Sequence, residues 1–237
     1  SPLGKFRANT LLERAVNVSM EHVEGDARLP NSELPSTKST PHRFDDEEVW
    51  LSLTSPLKHQ LSAAAVKCID NAMDIRSVNT LRWDGLSWWA ASSDGPGMCM
   101  VANAFGYDFD NIIGITGGGG TARSVAAAWS ANGGKVKQIG GNRLLDEDGP
   151  WNLCDDDAKF TINFDEDGGD ISVRYQKMEG DFDSRIEYLS KHADGRWLLC
   201  AQHLHSWANL WAPKYSEHLP SLSLLLTRLV AVEVQLE

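Results

Sequence analysis

A chain of 237 residues, 42% hydrophobic and 23% charged, has the length for one large domain or two small ones and the composition of an ordinary globular protein. Its formal net charge of −11 argues against nucleic acid and anionic membranes as partners, both being polyanions, yet leaves room for a small anionic substrate at a locally basic site. No stretch approaches the roughly 20 continuous apolar residues that cross a bilayer. Cys68, Cys99, Cys154 and Cys200 are widely spread with no CxxC pair, which points away from zinc and disulfides and toward the reducing cytoplasm.

In chain order, the polar, proline-containing residues 24–48 read as loop, and VWLSLT (49–54) as a strand ending at SPLK. HQLSAAAVKCIDNAMDI (59–75) has apolar residues at 61, 65, 66 and 69, the spacing of a helix. SVNTLRWDGLSWWAASSD (77–94) reads as a hairpin with Asp84-Gly85 at its turn, after which Asp94 would stand in a second turn. NIIGIT (111–116) is a short buried strand, ARSVAAAWSANGG (122–134) a helix stopped by Gly133-Gly134, and KVKQIGG (135–141) a second strand. The order strand, glycine turn, helix, strand opens a doubly wound parallel sheet. Residues 144–166 are acidic and weakly patterned, followed by helices expected in DFDSRIEYLSKHADG (181–195), RWLLCAQHLHSWANLW (196–211) and LPSLSLLLTRLVAVEV (219–234). GMCM (97–100) reads as core, and His203 and His205, two apart on a helix, do not share a metal-binding face.

Chemistry enters at Gly117-Gly118-Gly119-Gly120-Thr121. Gly117, Gly119 and Ala122 fit G-x-G-x-x-G/A directly after a strand and opening a helix, where free N–H groups and the helix dipole can receive a pyrophosphate. The same run could serve only as a tight bend. At the end of the next strand, where an NAD site carries an acidic residue, this chain has Asn142 and Arg143; a guanidinium there accepts a 2′-phosphate and favours NADP.

Ahead of the glycines stand SLTSPLK, RSVNT and SSDGPG; after them come GGNR and GRWLLCAQ. In that order and spacing the set resembles the shikimate dehydrogenase family, over most of residues 1–143 and 170–212. The resemblance implies a two-domain α/β fold. A substrate domain of residues 1–95 with 195–237 would frame a Rossmann-like nucleotide domain of residues 96–194. It implies reversible, metal-free reduction of 3-dehydroshikimate to shikimate with NADPH by a monomer or homodimer. Lys58 and Asp94 would form the catalytic pair; Thr54, Asn79, Asp94, Tyr175 and Gln202 would bind the substrate. Elementary chemistry agrees, because reducing a ketone needs a hydride at carbon and a proton at oxygen, and an ammonium beside a carboxylate can supply the proton.

The chain departs from the family at its N-terminus, where Phe6 and Ala8 replace two substrate-binding serines and Lys5 or Arg7 could take their task. The N-T-D motif becomes SSD, and the stretch between Arg143 and Tyr175 is short, either a reduced domain half or one lacking loops. A quinate/shikimate dehydrogenase using NAD or NADP, or a non-catalytic ligand-binding homologue, are the alternative expectations.

Overall fold

The computed structural model describes residues 49–54, 58, 66–84 and 86–236. Phe6, Ala8, the loop at 24–48, residues 59–65 of the expected helix and Gly85 lie outside them.

β1 (Val49–Ser52), β2 (Lys67–Cys68), β3 (Thr80–Trp83) and β4 (Trp88–Ala91) make a four-stranded sheet in the order β1-β3-β4-β2. β3 and β4 are the expected hairpin, antiparallel with Trp83 opposite Trp88. Asp84 closes it by accepting the N–H groups of Leu86 at 2.9 Å and Ser87 at 2.7 Å. Alternate residues turn inward, as the two-residue period of a strand requires, and Leu51, Leu81, Trp83, Trp88 and Ala90 gather with Val66 and Val78 in one core cluster. The helix expected through residue 75 is not found from residue 66 onward. There Lys67 and Cys68 pair in parallel with Trp89 and Ala90, and a run of turns follows. Asp70 explains the change, because its carboxylate accepts Ala72 N–H at 2.9 Å and Ser92 N–H at 2.8 Å. Those side-chain bonds favour a turn over helix.

β5 (Ile112–Thr116), β6 (Lys135–Gly140), β7 (Phe160–Asn163) and β8 (Ile171–Ser172) form a second, wholly parallel sheet in the order β6-β5-β7-β8. Ile113 and Ile115 of β5 are fully buried, as expected of a central strand covered on both faces. From β5 the chain passes through α2 (Gly120–Ala131) to β6 on one side, then returns to β7 on the other. The connection from β6 to β7 has no helix. Instead the segment around Leu153 bridges Val136, and buried Trp151 plugs the gap with its indole N–H on Asp146 O at 2.7 Å. The strand order thus reverses beside β5, the point at which open parallel sheets receive ligands at their carboxyl ends.

α1 (Asp94–Ala104) follows β4 and packs between α2 and α4 (Gly195–Ser206). Two glycines permit this. A Cβ on Gly95 would stand 2.1 Å from Ser124 O on α2, and one on Gly97 would stand 2.8 Å from Gln202 N on α4. The expected turn at SSDGPG is therefore the start of a helix. Pro96 lies in its first turn, where a missing N–H breaks no intrahelical bond. α3 (Phe182–Lys191) is capped by Asp181, which accepts Ser184 N–H at 3.0 Å, and α5 (Leu222–Gln235) lies against α3 and α4. Arg196 of α4 joins them. Its Nε and Nη2 donate to the two oxygens of Glu233 on α5 at 2.7 Å each, and Nη1 donates to Asp194 at 2.5 Å.

Candidate active site

β1 and β4 end, and β3 begins, on the same edge of the first sheet, so Thr54, Asn79 and the Ser92–Asp94 segment converge. Leu53 N–H donates to Asn79 O at 2.6 Å, and Asn79 N–H donates to Ala91 O at 3.2 Å, which carries the ladder one step past the strands. Lys58 is fixed from its own backbone, since Val78 N–H donates to Lys58 O at 2.9 Å.

The Lys58 ammonium donates directly to Asp94 Oδ2, with side chains 12% and 2% exposed respectively. Asn79 Nδ2 donates to Asp94 Oδ1 at 2.8 Å and to Ser93 Oγ at 2.9 Å, while its Oδ1 accepts Ser93 N–H at 2.7 Å. Both amide hydrogens of Asn79 are thereby engaged, so this residue orients Asp94. Behind it Thr80 Oγ1 reaches Ser93 Oγ and Ser206 Oγ, each at 3.0 Å, which ties the hairpin to α4. A buried polar network satisfied to this degree holds one geometry. Gln202 lies one turn before Ser206 on α4, against Gly97 of α1, and its amide has no hydrogen-bond partner among the described residues. Thr54 is half-buried at the end of β1.

The glycine turn joins this cluster from the second sheet. Gly117 has φ +101 and its N–H donates to Gly140 O at 2.8 Å, so the turn is clamped to the end of β6. A Cβ on Gly118 would stand 2.3 Å from Leu144 O, whereas one on Gly119 would meet nothing within 4 Å. Gly119 is the N-cap of α2, and no side chain caps the helix there. The first-turn N–H groups therefore have no side-chain cap at the positive end of the helix dipole, which suits a phosphate. Arg143 immediately precedes the residue lying over Gly118 and is exposed. Burial, then the like charges of Arg76 and Arg143, holds the Arg123 guanidinium below its ordinary range against the pull of Asp146. Both signs of charge therefore stand near the turn: Arg76, Arg123 and Arg143 on one hand, the Asp146 and Asp165 carboxylates on the other.

The motifs point to Lys58, Asn79, Asp94 and Gln202 as substrate-site residues, and the fold gathers them at the first turns of α1 and α2. Tyr175 has other neighbours: its ring lies under the Arg196 guanidinium at 5.8 Å, on the Asp194–Glu233 side of α4. Thr121, expected among the cofactor residues, contacts the Lys58–Asp94 pair. Two residues escaped the sequence. Asp165, past the end of β7, accepts Asn142 N–H at 2.6 Å and lies against Gly117 and Gly141. Ser77 is fully buried with Oγ unpartnered, facing Gly120. Neither stands in a motif; only the second sheet's parallel order brings Asp165 to the turn. Among the described residues no three His, Cys, Asp or Glu side chains gather as a metal site, and no helix is long and apolar enough to cross a membrane.

No protein-family model and no curated protein matches this chain. Solved structures do. A shikimate 5-dehydrogenase from Mycobacterium fortuitum superposes with a TM-score of 0.60 at 17% identity, covering 97% of this chain and 94% of that one. The chain has the shikimate dehydrogenase fold. The enzyme from Mycobacterium tuberculosis gives a TM-score of 0.57 at 15% identity, covering 97% and 96% of the two chains. That of Thermus thermophilus in complex with NADP(H) and shikimate gives 0.54 at 20%, covering 77% and 78%. The parallel α/β sheet expected from the glycine turn and the two-domain α/β arrangement that the resemblance implies are therefore shared, although few residues are.

Proposed function

We propose that the protein is an NADP-dependent shikimate dehydrogenase interconverting 3-dehydroshikimate and shikimate. The observation that carries this reading is the Lys58–Asp94 pair held by Asn79 beside the open N-terminus of α2. The neighbours of this fold that were solved with shikimate and with NADP(H) support it. The substrate lobe would be residues 1–95 with 195–237 and the nucleotide lobe 96–194, with α1 spanning the seam.

The turn fits the cofactor: Gly119 leaves room for a pyrophosphate, the N–H groups of Gly120 and Thr121 would bind it, and Arg143, beside Asn142, would take the 2′-phosphate. When bound, the nicotinamide supplies or removes the hydride at the substrate's carbonyl carbon. The chain's own residues manage the oxygen. In reduction the Lys58 ammonium donates a proton to the carbonyl oxygen as the C=O π bond opens; in oxidation the neutral amine takes that proton back. Asp94 holds the amine in place, and Asn79 holds Asp94. The free amide of Gln202 and the Thr54 hydroxyl would meet the ring substituents. A site that hydrogen-bonds hydroxyls discriminates strongly against analogues lacking them. The four free cysteines accord with work in the cytoplasm, as a monomer or homodimer.

A quinate/shikimate dehydrogenase using NAD or NADP is the second reading; the Asp165 carboxylate at the Asn142 amide favours its NAD form, since an acidic group there can hold an unphosphorylated ribose. Steady-state kinetics with shikimate and quinate, each with NADP+ and NAD+, tests both. The preferred reading expects kcat/KM highest for shikimate with NADP+. Nucleotide binding without turnover in any pairing would leave only a ligand-binding homologue.

A further inference from the structure

Thr121 is the second residue of α2, and its hydroxyl is spent inside the protein. Lys58 Nζ donates to Oγ1 at 3.0 Å, and Oγ1 donates to Asp94 Oδ2 at 3.0 Å. With the direct Lys58–Asp94 contact this closes a ring of three side chains. A hydroxyl has one proton to give. A nucleotide phosphate could take that proton only by displacing Asp94, so the phosphate is left to the backbone N–H groups of the turn.

We infer that the Thr121 side chain positions the proton-transfer pair and that its hydroxyl is not a ligand of the nucleotide. This rests on the reading of Lys58 as the group beside the reacting oxygen. The ammonium sits on a flexible four-carbon stem with three rotatable donors; Asp94 and Thr121 fix two of those directions and leave the third for the substrate. The turn of α2 that carries Thr121 is itself anchored. Arg123 Nε and Nη2 donate to the carbonyls of Ile75 and Arg76 at 2.8 and 2.9 Å. Ser124 Oγ accepts Gly95 N–H and meets Ser92 Oγ, both at 2.7 Å. The alignment of Lys58 is thus referred to the helix that receives the cofactor.

The test compares Thr121→Val, which keeps the branched shape and loses both hydrogen bonds, with Thr121→Ser, which keeps both. Losing hydrogen bonds to two charged groups corresponds to about a 10-fold to 100-fold fall in kcat. Thr121→Val should show that fall, with KM for shikimate and the dissociation constant for NADP+ within about threefold of wild type and a larger solvent deuterium isotope effect on kcat. Thr121→Ser should restore kcat to within about threefold. A second readout needs no turnover. Acetylation by a water-soluble active ester, followed by peptide mass mapping, should modify Lys58 several-fold faster in Thr121→Val than in wild type or Thr121→Ser, with exposed Lys177 as reference. Unchanged Lys58 acetylation, or a large rise in the NADP+ dissociation constant at constant kcat, overturns the assignment. Absence of turnover in wild type, with Lys58 still protected by Thr121, would count against the proposed reaction alone.

Discussion

Gly95 on α1 and Ser124 on α2 touch backbone to backbone: the Ser124 carbonyl oxygen occupies the space within 2.1 Å of where a Gly95 Cβ would lie. The oxygen is main chain and cannot rotate away, so the two helices must part to admit a methyl group. Gly95→Ala should therefore destabilise the fold by about 3 kcal/mol, the upper end of overpacking costs. Urea unfolding at neutral pH measures this, and a loss below about 1 kcal/mol would show that the helices can separate easily.

Removing the amine tests the proton chemistry. Lys58→Ala should lower kcat for shikimate oxidation by about 100-fold or more, the typical contribution of a general acid–base group. The NADP+ dissociation constant, read from tryptophan fluorescence, should stay within about threefold, because the phosphate seat uses backbone of α2. Full turnover by the variant would remove Lys58 from the mechanism.

Arg143 is the residue proposed to take the 2′-phosphate. Arg143→Ala should raise KM for NADP+ by about 10-fold to 100-fold, the range for one lost charge-assisted hydrogen bond. KM for NAD+, which lacks the 2′-phosphate, should change little. Equal effects on the two nucleotides would place Arg143 away from the 2′ position.

His203 links stability to pH. Its ring is buried, Nδ1–H donates to Leu199 O at 2.8 Å, and Nε2 has no partner. Burial holds its pKa down to about 4, from an ordinary 6.5. The unfolded chain takes up this proton as pH falls below 6.5, whereas the folded chain does so only near 4. Stability from this group is therefore complete above 6.5 and is lost as pH falls toward 4, by about 2 kcal/mol at pH 5. His203→Leu should unfold in urea with a shallower decline between pH 7 and pH 5 than wild type. Parallel declines would mean that the imidazole charges without unfolding.

How much of this was legible in the sequence varied with distance along the chain. The glycine turn, the hairpin of β3 and β4 and the C-terminal helices follow from local patterns, and each stands where expected. Lys58, Asn79, Asp94 and Gln202 stand in ordered motifs, and the fold brings those motifs together. By contrast α1 was hidden because Asp94-Gly95-Pro96-Gly97 is turn chemistry locally; in the fold the segment opens a helix, and its glycines let α2 and α4 approach it closely. β7 was hidden because FTIN lies in an acidic stretch, and its strand state comes from pairing with β5. The task of Thr121 was invisible for the same reason. Its partners are 63 and 27 residues away, and a motif tells nothing about which way a hydroxyl points.

The anchoring of α2 through Thr121, Arg123 and Ser124 limits how this protein can be re-engineered. The glycine turn is not an interchangeable module. A transplanted segment with the same glycines would still cradle a phosphate, yet it would arrive without the three side chains that register Lys58, the residue 75–76 turn and the start of α1. On the proposed reading, cofactor preference is therefore better changed at Arg143 than by replacing the turn itself.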